Sequence, residues 1–321
     1  MTNEKPKQDE WALPPEPPDY LWMSGNVLDW KKATVHASML GWSSISMVFE
    51  GIRGYWNPDR EQLNVFRLDT HLKRLLRSMK VMRMTSPWSV AELKSAIIDL
   101  ARSNEFHGDC YIQPLAYFGE GTPGYLPAGG QPGEIAIFSR TSSSILGSRE
   151  TITCGVSSWN RISDNVMPPR VKAIANYQNS RYVADEMRLN GHDDGIILNQ
   201  QGKVSEASYA CVFIVRDGVA ITPPVSAGIL ESITREVVME LLRDQLDIPV
   251  LERDVDRTEL YVADEAFICG TGAEIQAISS IDHFTVGDGG IGPVVSRLEQ
   301  LYHDVVRGRE PRYEGWLDGV Y

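Results

Sequence analysis

The feature that most constrains this chain is that its apolar periodicity changes in blocks. VFEGIRGYW and LNVFRL read as strands separated by the turn-rich NPDREQ. Thr70 then opens a helix, because Leu72, Leu75, Leu76, Met79 and Met82 recur at spacings of three and four. Ser89 opens another through an SVAE capping box closed by Glu92, with Val90, Leu93, Ile97 and Leu100 as its apolar stripe. CYIQPLAYF and EIAIFS return to strand, around a Gly/Pro-rich loop. Such blocks predict an α+β fold rather than a doubly wound sheet.

The second half repeats the alternation. TITCGVSSW reads as a strand, and PPRVKAIANYQNSRYVADEMRLNGH as a strand entry followed by a helix ending near Gly191. GIILNQQGKVSEASYACVFIVRDGVAITPP reads as three strands, two of them joined by the tight turn Asp217-Gly218. ITREVVMELLRDQ is an amphipathic helix, EAFICGTGAEIQAIS a strand broken by a glycine-rich turn, and PVVSRLEQLYHDVV a closing helix. WMSGNVLDW, before all of these, reads as a hairpin around Ser24-Gly25-Asn26.

The chain has 321 residues, which at about 150 residues per domain allows two domains. Residues 1–19, polar and carrying five prolines, read as a disordered or extended arm. Residues 20–139 read as a small N-terminal α+β domain, RTSSSILGSRE (140–150) as an interdomain linker, and 151–321 as a larger C-terminal domain. A net charge of −12 argues against general affinity for nucleic acid or anionic lipid. No apolar run approaches the roughly 20 residues needed to span a bilayer, and the first residues hold no apolar signal-peptide core, so a cytoplasmic protein is expected. The four cysteines (110, 154, 211, 269) form no CxxC pair and the six histidines no HExxH, so no metal site is expected.

Gly119-Glu-Gly121-Thr-Pro-Gly124 matches GxGxxG, but Pro123 and the loop that follows cannot open the helix that a dinucleotide site needs. No Walker-A string or GxSxG elbow occurs. Two segments could bind an anion: Ser232 and Thr234 at a helix start, and Gly270-Thr271-Gly272 after a buried strand. An N-cap and a plain turn are the alternatives. Lys172 stands alone amid the apolar RVKAIANY; such a lysine either lays its stem along apolar surface or, losing its proton, becomes a nucleophile for carbonyl carbon. Glu206, in KVSEASYACVF, is placed alike, with a buried salt bridge as its simpler reading.

VFEGIRGY (48–55), HLKRL (71–75), VKAIANY (171–177), GKVSEAS (202–208), DGVAITPP (217–224), ILESITRE (229–236), YVADEAFICGTGAEI (261–275) and the terminal WLDGVY resemble, in order, the class IV aminotransferases, most closely the branched-chain amino-acid aminotransferases. The resemblance runs from about residue 20 to the end of the chain. It implies the two-domain α+β architecture of fold type IV pyridoxal-phosphate enzymes (D-amino-acid aminotransferase-like), and a homodimer or larger assembly. It also implies transfer of an amino group from a hydrophobic L-amino acid donor to a 2-oxo acid acceptor, with pyridoxal 5′-phosphate as cofactor. Lys172 matches the catalytic lysine that also holds the cofactor, Glu206 the carboxylate on the pyridinium nitrogen, and Tyr177 the partner of the phenolic oxygen. Arg74 matches the phosphate-binding arginine, helped by the N–H groups of Ile233 and Thr234 and by Thr271. Phe49 should line the substrate pocket, and Tyr111 with the Thr271-Gly272 backbone should meet the substrate carboxylate.

The substrate side departs from the family pattern. Ser44 stands at the offset of a usual tyrosine, and Gln113 replaces the arginine of YIRP. Ala207-Ser208-Tyr209-Ala210-Cys211 replaces Gly-x-Gly-Glu-Asn, and the linker lacks the usual aromatic residue. Losing a fixed arginine weakens two-pronged recognition of a carboxylate. The alternatives are therefore an (R)-selective amine transaminase, a D-amino-acid transaminase or an aminodeoxychorismate-type lyase on the same fold.

Overall fold

The computed structural model describes residues 17–119, 131–148 and 150–321. The arm's first 16 residues, and the GxGxxG string with its loop from residue 120 through 130, lie outside the described residues.

The first sheet runs in the order Leu317–Gly319, Gln62–Phe66, Ile52–Asn57, Cys110–Phe118, Gln131–Thr141, Tyr20–Met23, Asn26–Asp29. Each neighbouring pair along that path is antiparallel. Even positions of Cys110–Phe118 face a helical layer: Ile112 and Ala116 pack with Leu72, Leu75, Leu93 and Ile97. Odd positions such as Tyr111 and Gln113 are half-buried on the opposite face, as the period-2 pleat requires. The helix expected from Thr70 begins two residues earlier, as Leu68–Val81, because Arg67 in left-handed backbone (φ 53°) turns the chain into it. The Ser89–Glu92 capping box forms and starts Val90–Ser103.

The second sheet runs Val204–Ala207, Asp194–Leu198, Ile152–Asn160, Glu274–Ile281, Glu265–Gly270, Cys211–Arg216, Val219–Thr222, Val250–Glu252. Ile152–Asn160 is parallel to both its neighbours. Parallel pairing needs a crossover, and helix Tyr177–Leu189 supplies the one to Asp194–Leu198. Helices Ile233–Asp244 and Pro293–Val306 cover one face through Val237, Leu241, Leu298 and Val305. Among the described residues no helix is long and apolar enough to cross a membrane.

Several local expectations change. VFEGIRGYW is two strands, Val48–Phe49 and Ile52–Asn57, broken at Glu50-Gly51. The segment read as three strands holds four, because the turn after Ala207 closes on itself (Ala207 N–H to Ala210 carbonyl, 2.7 Å) before Cys211–Arg216 begins. The Asp217-Gly218 hairpin is as expected, with φ of 50° and 76°, which glycine tolerates at its second position. The strand entry expected just before Lys172 is instead a turn, closed by Val171 N–H donating to the Pro168 carbonyl at 3.1 Å, and Ala173 touches Val48 through a single bridge. The strand from Gln131 continues through Thr141, so irregular chain starts at Ser142. Finally, Leu317–Gly319 leaves the second sheet's neighbourhood and joins the first, and Tyr55 and Phe66 of the first sheet enter the core of the second.

Candidate active site

The chain around Lys172 is stitched to the strand Val48–Phe49. Phe49 N–H donates to the Lys172 carbonyl at 3.0 Å and Ile174 N–H to the Met47 carbonyl at 2.9 Å. This places the Lys172 ammonium 4.5 Å from the centre of the Phe49 ring. Lys172 Nζ donates to the Tyr177 hydroxyl at 2.5 Å, five residues along at the start of helix Tyr177–Leu189. Burial and the Arg74 guanidinium lower the pKa of Lys172, against opposing pulls from Glu50, Tyr111 and Glu206. Burial and then Glu206 raise that of Tyr177. The Tyr177 ring is gripped by Phe49 (centroids 4.9 Å, edge-on) and Tyr209 (6.0 Å, stacked).

Arg74 projects from helix Leu68–Val81 and is buried. Its Nε and Nη2 donate to Glu50 Oε1 and Oε2 at 2.6 and 2.7 Å, and its Nη1 to the Glu231 carbonyl at 2.8 Å. His71, one turn earlier, puts Nδ1 2.8 Å from Glu50 Oε2. Burial by itself would raise Glu50, but Arg74 and His71 outweigh it and hold the carboxyl down at about 2. The Glu231 carbonyl lies at the mouth of helix Ile233–Asp244, which Ser232 caps by accepting from Arg235 N–H at 3.2 Å. The N–H groups of Ile233 and Thr234 are the first of that helix and have no intrahelical acceptor. Arg74 and a positive helix end therefore meet at one place.

Glu206 is buried. Its Oε1 lies 2.7 Å from Arg161 Nη2 and its Oε2 accepts from Leu230 N–H at 2.9 Å. Beside it, the buried hydroxyls of Ser205 and Ser208 have no hydrogen-bond partner among the described residues. The Thr271-Gly272 turn is held by Arg53, whose Nε donates to the Thr271 carbonyl at 2.9 Å and Nη2 to the Gly272 carbonyl at 3.2 Å. Tyr111 lies directly across from Arg53 in register, and its hydroxyl presses on Gly51, where a Cβ would come within 1.8 Å of it. No side chain fits at position 51. Gln113 follows Tyr111 on the same half-buried face. Among the described residues the Ser44 hydroxyl bonds only within its own helix, donating to the Leu40 carbonyl at 2.5 Å and the Gly41 carbonyl at 3.0 Å. Among the described residues no cluster of three or more His, Cys, Asp and Glu side chains is placed to hold a metal.

Lys172, Tyr177, Phe49, Arg74 and Glu206 are thus linked by direct contacts or mutual electrostatic influence. Reading the sequence left out Glu50, His71, Arg53 and Arg161. Glu50 and Arg53 carried the signal that singled out Glu206, a charge set among apolar strand residues. His71 and Arg161 carried no local signal.

Comparison with known proteins decides the family. The amino-transferase class IV family matches residues 47–281. This chain is a class IV aminotransferase. A probable branched-chain-amino-acid aminotransferase of Aquifex aeolicus is 37% identical over 308 residues, covering 94% of this chain and 97% of the relative. The branched-chain amino acid aminotransferase of Thermobaculum terrenum, solved in its PLP form, superposes with a TM-score of 0.92 at 46% identity, covering 95% of this chain and 99% of that one. A Thermoproteus uzoniensis branched-chain aminotransferase solved with norvaline gives 0.88 at 40% identity, covering 95% of this chain and all (100%) of that one. The α+β fold is therefore that of the class IV aminotransferases.

Proposed function

We propose that the chain is a pyridoxal 5′-phosphate-dependent transaminase that moves an amino group between a branched-chain or other hydrophobic L-amino acid and a 2-oxo acid. The observation that carries it is the placement of Lys172 Nζ on the Tyr177 hydroxyl at 2.5 Å, with Arg74 and Glu206 both acting on these two groups. The relatives' names and the 46% identity to an enzyme solved with PLP support both substrate and cofactor.

The donor set fits the cofactor. Arg74, the helix N-terminus at Ile233-Thr234 and Thr271 would hold a phosphate dianion. Glu206 would accept from a protonated ring nitrogen, and Arg161 fixes the orientation of its carboxylate. Tyr177 would donate to the phenolic oxygen, and the orphaned Ser208 hydroxyl leaves a polar group for the ligand to satisfy. When bound, the group supplies an electron-withdrawing ring that stabilises negative charge at the substrate's Cα.

The chain's own residues then position and move protons. Lys172, its proton affinity lowered, is the residue that would bond the aldehyde and move the proton at Cα. Tyr111 and the Thr271-Gly272 backbone would take the α-carboxylate, and Phe49 would wall the side-chain pocket. Residues 20–139 and 151–321 would form two domains around Lys172, the second sheet lying within the latter and the first mostly within the former, with Leu317–Gly319 added to its edge. A homodimer is proposed from the apolar side chains left exposed on helix Leu40–Ser46, with Leu40 59% and Ile45 54% accessible. Four reduced, buried cysteines favour a cytoplasmic setting.

The test is the visible absorption spectrum of the purified protein with cofactor, before and after single donors: L-leucine, L-isoleucine, L-glutamate, D-alanine and a simple (R)-amine. A visible band that L-leucine or L-isoleucine bleaches supports the reading. Bleaching by D-alanine or the amine alone rejects the substrate, and no band at all rejects Lys172 as the anchor.

A further inference from the structure

Tyr209 is the single exposed residue in the run from Val204 to Val215, with 37% of its surface accessible. It sits in the turn between the strands Val204–Ala207 and Cys211–Arg216, which the Ala207 N–H closes on the Ala210 carbonyl. From there its ring stacks on that of Tyr177, with 6.0 Å between centroids at 20°, within the range in which aromatic pairs attract. Tyr177 meets Phe49 edge-on at 4.9 Å. The Lys172 ammonium lies 4.5 Å from the Phe49 ring centre and 5.0 Å from that of Tyr177. Phe49 is buried, Tyr177 half-buried and Tyr209 exposed, so the three rings step outward from Lys172 to solvent.

The Tyr209 hydroxyl answers mainly to other groups. Asp194, Arg181 and Asp185, from the strand Asp194–Leu198 and the helix Tyr177–Leu189, act on it more strongly than Tyr177 does. What Tyr209 offers the site is therefore the face of its ring. That face matters because the Tyr177 hydroxyl has an exacting place, accepting from Lys172 Nζ at 2.5 Å. With one flank uncovered the Tyr177 ring could swing and water could reach the pair. A misplacement of about 1 Å at a reacting group can cost on the order of a hundredfold in rate.

We propose that Tyr209 is a positioning residue: by stacking on Tyr177 it fixes the hydroxyl that Lys172 uses and keeps water from the pair. The consequence for turnover rests on the transaminase reading above; the consequence for Lys172 does not.

The test compares the full chain as wild type, Tyr209→Ala and Tyr209→Phe. In the cofactor-free protein, modification of Lys172 by formaldehyde and cyanoborohydride is followed against pH by peptide mass spectrometry. The ionisable groups acting on Lys172 are Arg74, Glu50, Tyr111 and Glu206, with Tyr177 as its hydrogen-bond partner, and all are kept in both variants. Burial lowers Lys172 more than any of them. Tyr209→Ala should therefore move the midpoint of modification up by about one pH unit, and Tyr209→Phe should leave it in place. With cofactor bound, Tyr209→Ala should lower kcat for L-leucine about tenfold with KM changed less than about threefold, and Tyr209→Phe should keep most of the wild-type rate. An unchanged Lys172 profile in Tyr209→Ala, or a phenylalanine variant that loses as much as the alanine one, would each overturn the proposal. A wild type that reacts with no donor would sink the transaminase reading instead, and the Lys172 profile would still decide Tyr209. If the alanine variant does not fold, Tyr209→Ser carries the same comparison.

Discussion

Arg53 and Glu274 lie 3.8 Å apart, both buried, and together hold four consecutive residues between the two sheets. Arg53 takes the carbonyls of Ser142 and Ser143, and Glu274 accepts from the Ser144 hydroxyl at 2.8 Å and the Ile145 N–H at 2.7 Å. The segment is therefore clamped by charge rather than left loose. Arg53→Met strands a buried carboxylate and should cost about 3–5 kcal/mol of stability. Urea unfolding checks this; a loss under about 1 kcal/mol would mean that the clamp adds nothing.

Lys172→Ala removes the only amine in contact with Tyr177 among the described residues. It should still bind the cofactor non-covalently while losing transamination by a factor of about a thousand or more. Single-turnover kinetics with L-leucine measure it, and full turnover in this variant would end the assignment of Lys172. In the wild type without cofactor, Lys172 should react with a small aldehyde at lower pH than an ordinary lysine, because burial and Arg74 depress its pKa.

Glu50 fixes both Nε and Nη2 of Arg74, so Arg74 presents Nη1 toward the helix start at Ile233. Glu50→Gln keeps the shape but gives up one charge and one acceptor. Affinity for pyridoxal 5′-phosphate, followed by equilibrium dialysis, should fall about tenfold, with a smaller effect on KM for L-leucine. An unchanged cofactor Kd would show that Arg74 needs no such partner.

Acid should unfold the protein through identifiable carboxylates. Glu50 is held at about 2, as burial is outweighed by Arg74 and His71. Glu259 is held at about 2 by hydrogen bonds from Arg253 and Arg216. Both folded values lie below the ordinary 4.5. Their stabilisation is therefore complete above about pH 4.5 and is lost as pH falls from there toward about 2. Melting temperature against pH should drop through that window, less steeply in Glu259→Gln. A parallel profile in the variant would count against the pair with Arg253.

Much of the architecture was readable because its causes are local. Ser89 and Glu92 lie within one turn of each other, Asp217-Gly218 needs only its own backbone, and Leu72, Leu75 and Met79 declare their face by spacing alone. Helix Leu40–Ser46 carried no apolar stripe, and the start at Leu68 depended on an arginine adopting φ of 53°, which no residue pattern announces. Lys172, Tyr177, Arg74 and Glu206 came from motif order, while Glu50, Arg53 and Arg161 stayed hidden because their partners are distant in the chain.

The sequence by itself determined the periods of the elements, the caps that start them, the α+β class and the residue types able to do amino-group chemistry. Those follow from interactions among near neighbours, where each side chain's position is set by the helix or the pleat. Only the tertiary structure decided which charges face one another. Arg74 meets Glu50 and the Glu231 carbonyl, Arg53 reaches Thr271, and Leu317–Gly319 returns to pair with Gln62–Phe66. Such contacts depend on strand order and register, which are fixed by burying both sheets at once and not by any single segment.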